Sequence, residues 1–124
     1  MGVGKVLPDS ALTLQAKVYN KESGVEPPLY ICIGTGTNTP VNSDTALQTE
    51  VLRKLATRSR SGAQNTYEIT VAPGELTANV TEFGLINTAS GAGDLGYREV
   101  VAPQVHDGTH GGIYRVILSW GRAS

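Results

Sequence analysis

The stretch Leu29-Tyr-Ile-Cys-Ile33 decides how the rest of the chain is interpreted. Its side chains are apolar at both odd and even positions, so a strand formed here would be buried on both faces. Pro27-Pro28 comes just before it, and neither proline has an N–H group to donate to a sheet. We therefore predict a central strand over residues 29–33.

Other segments alternate apolar and polar residues, which is typical of strands with one buried face. This alternation occurs over residues 12–18, 67–71, 83–86, 97–101 and 113–120. The segments are separated by turns rich in Gly, Pro and Asn. Six or seven short strands with such turns predict an all-β domain, an antiparallel β-sandwich or a barrel-like domain.

One segment has helical spacing instead. Leu47, Val51 and Leu55 recur every four residues, which would place them on one face of a helix over residues 44–55. We therefore predict one short helix between the central strand and the strand at 67–71.

Length and charge limit the classes of protein that fit. A chain of 124 residues suffices for a single domain, with an N-terminal arm and first strand at 1–28 and the β-sandwich at 29–124. A net charge of −1 gives no overall attraction for polyanions, which disfavours nucleic acid as a partner. No apolar run approaches the roughly 18 residues of a membrane helix, and no signal-peptide pattern is found. We expect a soluble, unprocessed chain without a membrane partner.

Few residues are candidates for catalysis or metal binding. Cys32 is the single cysteine, which excludes an intrachain disulfide, and in a buried strand its thiol would be inert. His106, Asp107 and His110 are the one cluster whose side chains could meet a divalent cation. They are followed by two glycines in a strand-connecting loop, so a flexible polar loop is favoured over a metal site. We predict no catalytic residue and no cofactor.

Two further motifs have a structural and a functional interpretation. The segment Gly34-Thr-Gly36 lacks the further residues of a dinucleotide or phosphate loop, so we predict a turn with glycines at positive φ. A basic run could meet phosphates, but no aromatic residues interleave with it to form a stacking platform. A solvated face or salt bridges are therefore favoured over a nucleic-acid-binding accessory. The run consists of Arg53, Lys54, Arg58 and Arg60.

Glu82 stands next to Gly84 in the otherwise core-like segment Val80–Asn87. An isolated buried carboxylate costs several kcal/mol, so it needs a partner. We predict that a basic residue or backbone N–H groups bind it, with Arg53 and Arg98 as the favoured partners. The role of these three residues would be structural, fixing the predicted helix to the sheet.

Three stretches, taken together, resemble a known family. Leu29–Leu47 contains G-T-G-T and D-T-A-L, Val80–Asn87 contains T-E-F-G-L, and Ile113–Trp120 is a closing strand that ends in tryptophan. In this order they are similar to small structural proteins of tailed bacteriophages, in particular tail-fibre and collar attachment domains. The resemblance spans about residues 29–120.

The resemblance implies a non-enzymatic virion structural protein, a tail or fibre-attachment or adaptor module. Its partners would be other virion proteins and copies of itself, and its location the virion. A capsid decoration (cement) protein is the alternative within this class. A metal-dependent carbohydrate-binding module using residues 106–110 is a less favoured alternative from a different class.

Overall fold

The computed structural model describes residues 4–121. The helix and strands in this range are β1 (Lys5–Val6), α1 (Asp9–Tyr19), β2 (Tyr30–Gly34), β3 (Glu50–Leu55), β4 (Thr57–Ser61), β5 (Gln64–Val71), β6 (Ala78–Ile86), β7 (Leu95–His106) and β8 (Gly112–Ser119). The predicted all-β class with one short helix is confirmed. No helix among these residues is long and apolar enough to cross a membrane.

The strands form two antiparallel sheets. The larger sheet has five strands in the order β1-β7-β6-β2-β3, and the smaller has three in the order β4-β5-β8. β2 lies between β6 and β3, which confirms the predicted central strand. Each sheet keeps two edge strands, so the sandwich is the observed architecture and the barrel alternative is wrong.

The main core lies between the two sheets. Ile31 and Leu85 of the larger sheet are buried in one cluster with Val71 and Val116 of the smaller sheet. Each such side chain, once fully buried, contributes about 1.5–3 kcal/mol. The burial of these apolar side chains, which occupy alternate positions of the strands, therefore holds the two sheets together.

A second, smaller cluster covers the outer face of the larger sheet. Cys32, Ile86 and Leu95 are buried there against Leu47, which belongs to the segment 35–49. Successive side chains of a strand point to opposite faces, so Cys32 faces away from the main core. The burial of both faces explains why the central strand is apolar at every position.

The strand predicted over residues 12–18 is wrong, because this segment belongs to α1. Only Leu14 of the alternating residues is buried. Asp9 in the first turn and Lys17 in the last turn carry the charges that suit the helix dipole. Lys21, with φ of 54°, adopts the left-handed conformation that ends many helices.

The helix predicted over residues 44–55 is also wrong. Glu50–Leu55 form β3, and the residues before them have no regular structure. The N–H groups of Gln48 and Thr49 donate to the Glu82 carboxylate at 2.9 and 2.7 Å. These two N–H groups therefore cannot donate to the backbone carbonyls of the helix that the apolar spacing predicted.

The N-terminal arm predicted within 1–28 differs from the structure in its described part. Residues 1–3 lie outside the described residues. Lys5 and Val6 form β1 and pair with Glu99 and Arg98 of β7. Val6 is buried, so this part of the arm is an edge strand of the larger sheet.

Candidate functional site

The Glu82 carboxylate is enclosed on the outer face of the larger sheet, with a side chain that is 0% exposed. It accepts hydrogen bonds from the N–H groups of Gly36 at 2.8 Å, Gln48 at 2.9 Å and Thr49 at 2.7 Å. Arg98 adds a bond from Nε at 3.0 Å. Charge-assisted bonds of this kind offset the cost of burying a carboxylate.

Arg98 extends this network to the neighbouring loop. Its guanidinium contacts Asp44 at 3.1 Å and also donates to the side-chain oxygen of Asn38. Three partners therefore share one side chain that is 1% exposed. The pair formed by Glu82 and Arg98 attaches the segment 36–49 to β6 and β7, so the loop takes the place of the predicted helix.

Arg53, the other predicted partner of Glu82, lies elsewhere. It forms two bonds of 2.7 Å with the carboxylate of Glu50. It also donates to the carbonyl oxygen of Thr88 at 2.9 Å. The hydrogen bond to Glu50 raises the pKa of Arg53. Arg53 thus fixes the loop after β6 against β3 and does not touch Glu82.

The glycines at 34 and 36 have a different role from the one predicted. Neither takes a positive φ. A Cβ on Gly36 would lie 2.4 Å from Oε2 of Glu82, and one on Gly34 would lie 2.7 Å from the same atom. The segment is glycine-rich because a carboxylate, not a phosphate, occupies the adjacent space.

The three predicted cation ligands at 106–110 do not converge on one point, because Asp107 contacts His110 while His106 points elsewhere. His106 is buried, and its Nε2 shares a hydrogen bond with the hydroxyl of Tyr114. Asp107 instead faces outward and accepts from the N–H of Thr109 at 2.8 Å and from His110. The bond from Thr109, together with His110, lowers the pKa of Asp107 to about 2. Residues 4–121 contain no group of three or more side chains placed to hold a metal ion.

Cys32 is 0% exposed. Burial, together with the nearby charge of Glu50, raises the pKa of its thiol to about 12. A thiol in this state is neither an accessible nucleophile nor a metal ligand at neutral pH.

The basic run is divided between the two sheets. Arg53 pairs with Glu50, and Lys54 reaches across to Glu75 at 2.8 Å. Arg58 and Arg60 lie on β4 and have no carboxylate within ion-pair distance in the part of the chain described. Arg53 and Lys54 thus stabilise the sandwich, whereas Arg58 and Arg60 remain available to bind an anionic group.

Sequence reasoning missed the aromatic residues beside these two arginines. Across the β4–β5 pairing, Arg58 lies opposite Tyr67 and Arg60 lies opposite Asn65. Trp120 joins them because its indole N–H donates to Asn65 at 2.8 Å. The sequence feature that could have revealed these neighbours is the two-residue turn Gly62–Ala63. A turn of that length fixes the register of the strands on either side, and the register determines which residues lie opposite the arginines.

Comparisons with known proteins give no relative: no family model matches this chain, and neither a curated protein nor a solved structure resembles it significantly.

Proposed function

We propose that this chain is a non-enzymatic structural protein of a tailed-bacteriophage virion, a tail or fibre-attachment or adaptor module. It works by assembling with neighbouring virion proteins and with copies of itself. The observation that carries the proposal is the apolar character of its open sheet edges.

Two edge strands expose large apolar side chains. On β3, Val51 is 38% and Leu55 61% exposed, and on β8, Ile113 is 62% and Ile117 52% exposed. Each strand is the last in its sheet, so one side of its backbone has no partner strand among the described residues. An open edge with apolar side chains is a template for pairing with another chain.

The two edges lie apart from each other. β3 continues through Ala56 into β4, the edge strand at one end of the smaller sheet. β8 is the edge strand at the other end of that sheet. Two separate edges on one subunit allow contacts with two neighbours at once, which suits a repeating assembly.

The contacts within the resembling motifs also support the proposal. Gly36 of the G-T-G-T motif donates to Glu82 of the T-E-F-G-L motif at 2.8 Å, and the hydroxyl of Thr81 donates to the carbonyl of Gly36 at 2.7 Å. Asp44 of the D-T-A-L motif pairs with Arg98. Motifs distant in sequence thus form one folding unit, so their occurrence together has a physical reason.

Self-assembly is tested by light scattering on the purified protein over a range of concentrations. The wild-type protein is expected to form oligomers, and two double variants are expected to lower their mass. These are Val51→Lys with Leu55→Lys on β3, and Ile113→Lys with Ile117→Lys on β8, since charges on an edge oppose strand pairing.

A matched control places lysines on exposed apolar residues away from the edges. Leu12→Lys with Val41→Lys alters side chains that are 55% and 48% exposed. This variant should keep the oligomers, and circular dichroism should show that all variants are folded. A wild-type protein that stays monomeric at high concentration would remove self-assembly from the proposal.

The location in a virion is tested by electron microscopy. Cys32 is inaccessible, so Thr13→Cys on the exposed side of α1 introduces one reactive thiol for a gold label. Label on the tail supports the attachment or adaptor role, and label on the head supports capsid decoration instead. Mature particles that lack the protein would contradict both.

A further inference from the structure

A groove runs between α1 and one end of the smaller sheet. It consists of two adjoining cavities of about 500 and 360 Å³. Both are lined by Pro27, Pro28, Asn65 and Tyr67, so they form one continuous surface.

One half of the groove is apolar. Leu14 of α1 and Leu118 of β8 line it together with Trp120. The indole ring of Trp120 is held by its bond to Asn65, yet the residue is 41% exposed. Tyr19, which also lines this half, is 84% exposed. Exposed aromatic side chains such as these are typical of binding surfaces.

The other half is cationic. Arg58 and Arg60 line it, and no Asp or Glu in the described part of the chain lines either half. Arg60 donates to the carbonyl oxygen of Gly62 at 2.9 Å. Burial raises the pKa of Tyr67, and the positive charge of Arg58 opposes this rise, which agrees with their positions on paired strands. The groove therefore offers an apolar surface followed by two guanidinium groups.

We propose that this groove binds an extended segment of a partner protein in which an apolar side chain is followed by carboxylates. The apolar side chain lies against Leu14, Leu118 and Trp120, and the carboxylates pair with Arg58 and Arg60. The partner is a neighbour in the assembly, so this proposal rests on the proposed function. Proline suits such a segment because it presets an extended backbone that packs on aromatic rings.

The charges favour a peptide over a nucleic acid. A nucleic acid presents a phosphate at every nucleotide, and its binding proteins neutralise several of them. Among residues 4–121, two arginines line the groove, Arg58 and Arg60, whereas Arg53 and Lys54 pair with Glu50 and Glu75. The net charge of −1 adds no attraction at longer range.

The chain has a single tryptophan, so its fluorescence reports on this groove alone. The probe is the peptide acetyl-Leu-Pro-Pro-Glu-Glu-amide, and the comparison peptide replaces both Glu with Gln. The first peptide is expected to shift the emission of Trp120 to the blue and to saturate. The Gln peptide should bind about tenfold more weakly, since charge-assisted bonds are lost.

The variant Arg58→Gln with Arg60→Gln should lower the affinity for the Glu peptide by about the same tenfold factor and leave the Gln peptide unaffected. Arg115→Gln is the matched control, because Arg115 is exposed on β8 and does not line the groove. It should bind both peptides as the wild-type protein does.

Three results would overturn the proposal: no emission change with either peptide, equal affinity for both, or saturation by oligothymidylate or an oligogalacturonate but not by the Glu peptide. A failure of the peptide-binding proposal can be distinguished from a failure of the proposed assembly role, because different variants and measurements test the two. The arginine variant should keep the oligomer mass, and the lysine variants of β3 and β8 should keep the peptide affinity.

Discussion

The carboxylate of Glu82 and the guanidinium of Arg98 lie 3.0 Å apart, with side chains that are 0% and 1% exposed. The two residues belong to neighbouring strands, β6 and β7. Their remaining hydrogen bonds go to the segment 36–49, which has no regular structure of its own. One buried ion pair thus connects the larger sheet to the segment that covers it.

Replacing Glu82 by Gln is expected to lower the free energy of unfolding by about 3–5 kcal/mol. The substitution leaves Asp44 as the one carboxylate beside the buried Arg98 guanidinium, which otherwise donates to Asn38, and it turns an amide NH₂ group toward backbone donors. Urea unfolding followed by circular dichroism measures the change. The oligomers that we propose should remain detectable at low temperature, where the variant is still folded.

Glu68→Gln is the matched control for that variant. Glu68 pairs with Arg115, and their side chains are 34% and 56% exposed. An exposed pair contributes only about 0–1 kcal/mol, so little should change. Equal losses in the two variants would show that burial of the Glu82–Arg98 pair has no special effect.

Gly36→Ala is expected to destabilise the protein by about 1–3 kcal/mol, the usual cost of overpacking. The added Cβ would lie 2.4 Å from Cβ of Gln48 and 2.4 Å from Oε2 of Glu82, so the loop must move. Hydrogen exchange of the Gln48 and Thr49 amides should become faster. Gly108→Ala, where nothing lies within 4 Å of the added Cβ, should leave stability and exchange nearly unchanged.

The strands that the sequence predicted correctly are those in which local pattern and burial agree. β2 is apolar at successive positions, and β8 alternates apolar and polar residues. Both strands pack on the main core, β2 through Ile31 and β8 through Val116. The helix predicted over residues 44–55 is wrong because helical spacing is a local pattern, whereas the conformation of Gln48 and Thr49 depends on Glu82, 34 and 33 positions away in sequence. Helical spacing could not reveal that long-range competition for the N–H groups.

The candidate site was predictable only in part. That Glu82 needs donors follows from charge and burial, but the choice between Arg53 and Arg98 depends on which face of which strand each occupies. The groove was hidden for a similar reason. Arg58 and Trp120 are far apart in sequence, and only the pairing of β5 with both β4 and β8 brings them to one surface.

Asp107 should make the stability of the 107–110 turn depend on pH. Its folded-state pKa is lowered to about 2, from 3.8. A carboxyl with a lowered pKa contributes stability above the unfolded value and loses it as the pH falls through the folded one. The melting temperature of Asp107→Asn should therefore lie below that of the wild-type protein at about pH 5 and approach it near pH 2. A difference that is constant over this range would contradict the prediction, and Glu26→Gln, at an exposed position outside the helix and the strands, is the control.

Cys32 should react with thiol reagents only when the protein unfolds. Its thiol is 0% exposed, and burial with the charge of Glu50 raises its pKa to about 12. When reclosing is faster than the reaction with a disulfide reagent at mildly alkaline pH, the labelling rate is therefore proportional to the fraction of molecules that are open. Since Glu82→Gln lowers the unfolding free energy by at least about 3 kcal/mol, it should accelerate labelling by roughly a hundredfold.

The introduced thiol of Thr13→Cys should label at the rate of a free thiol in both backgrounds. Equal rates for Cys32 in the wild-type and Glu82→Gln proteins would show that the thiol is reached by a local motion that does not involve the buried ion pair.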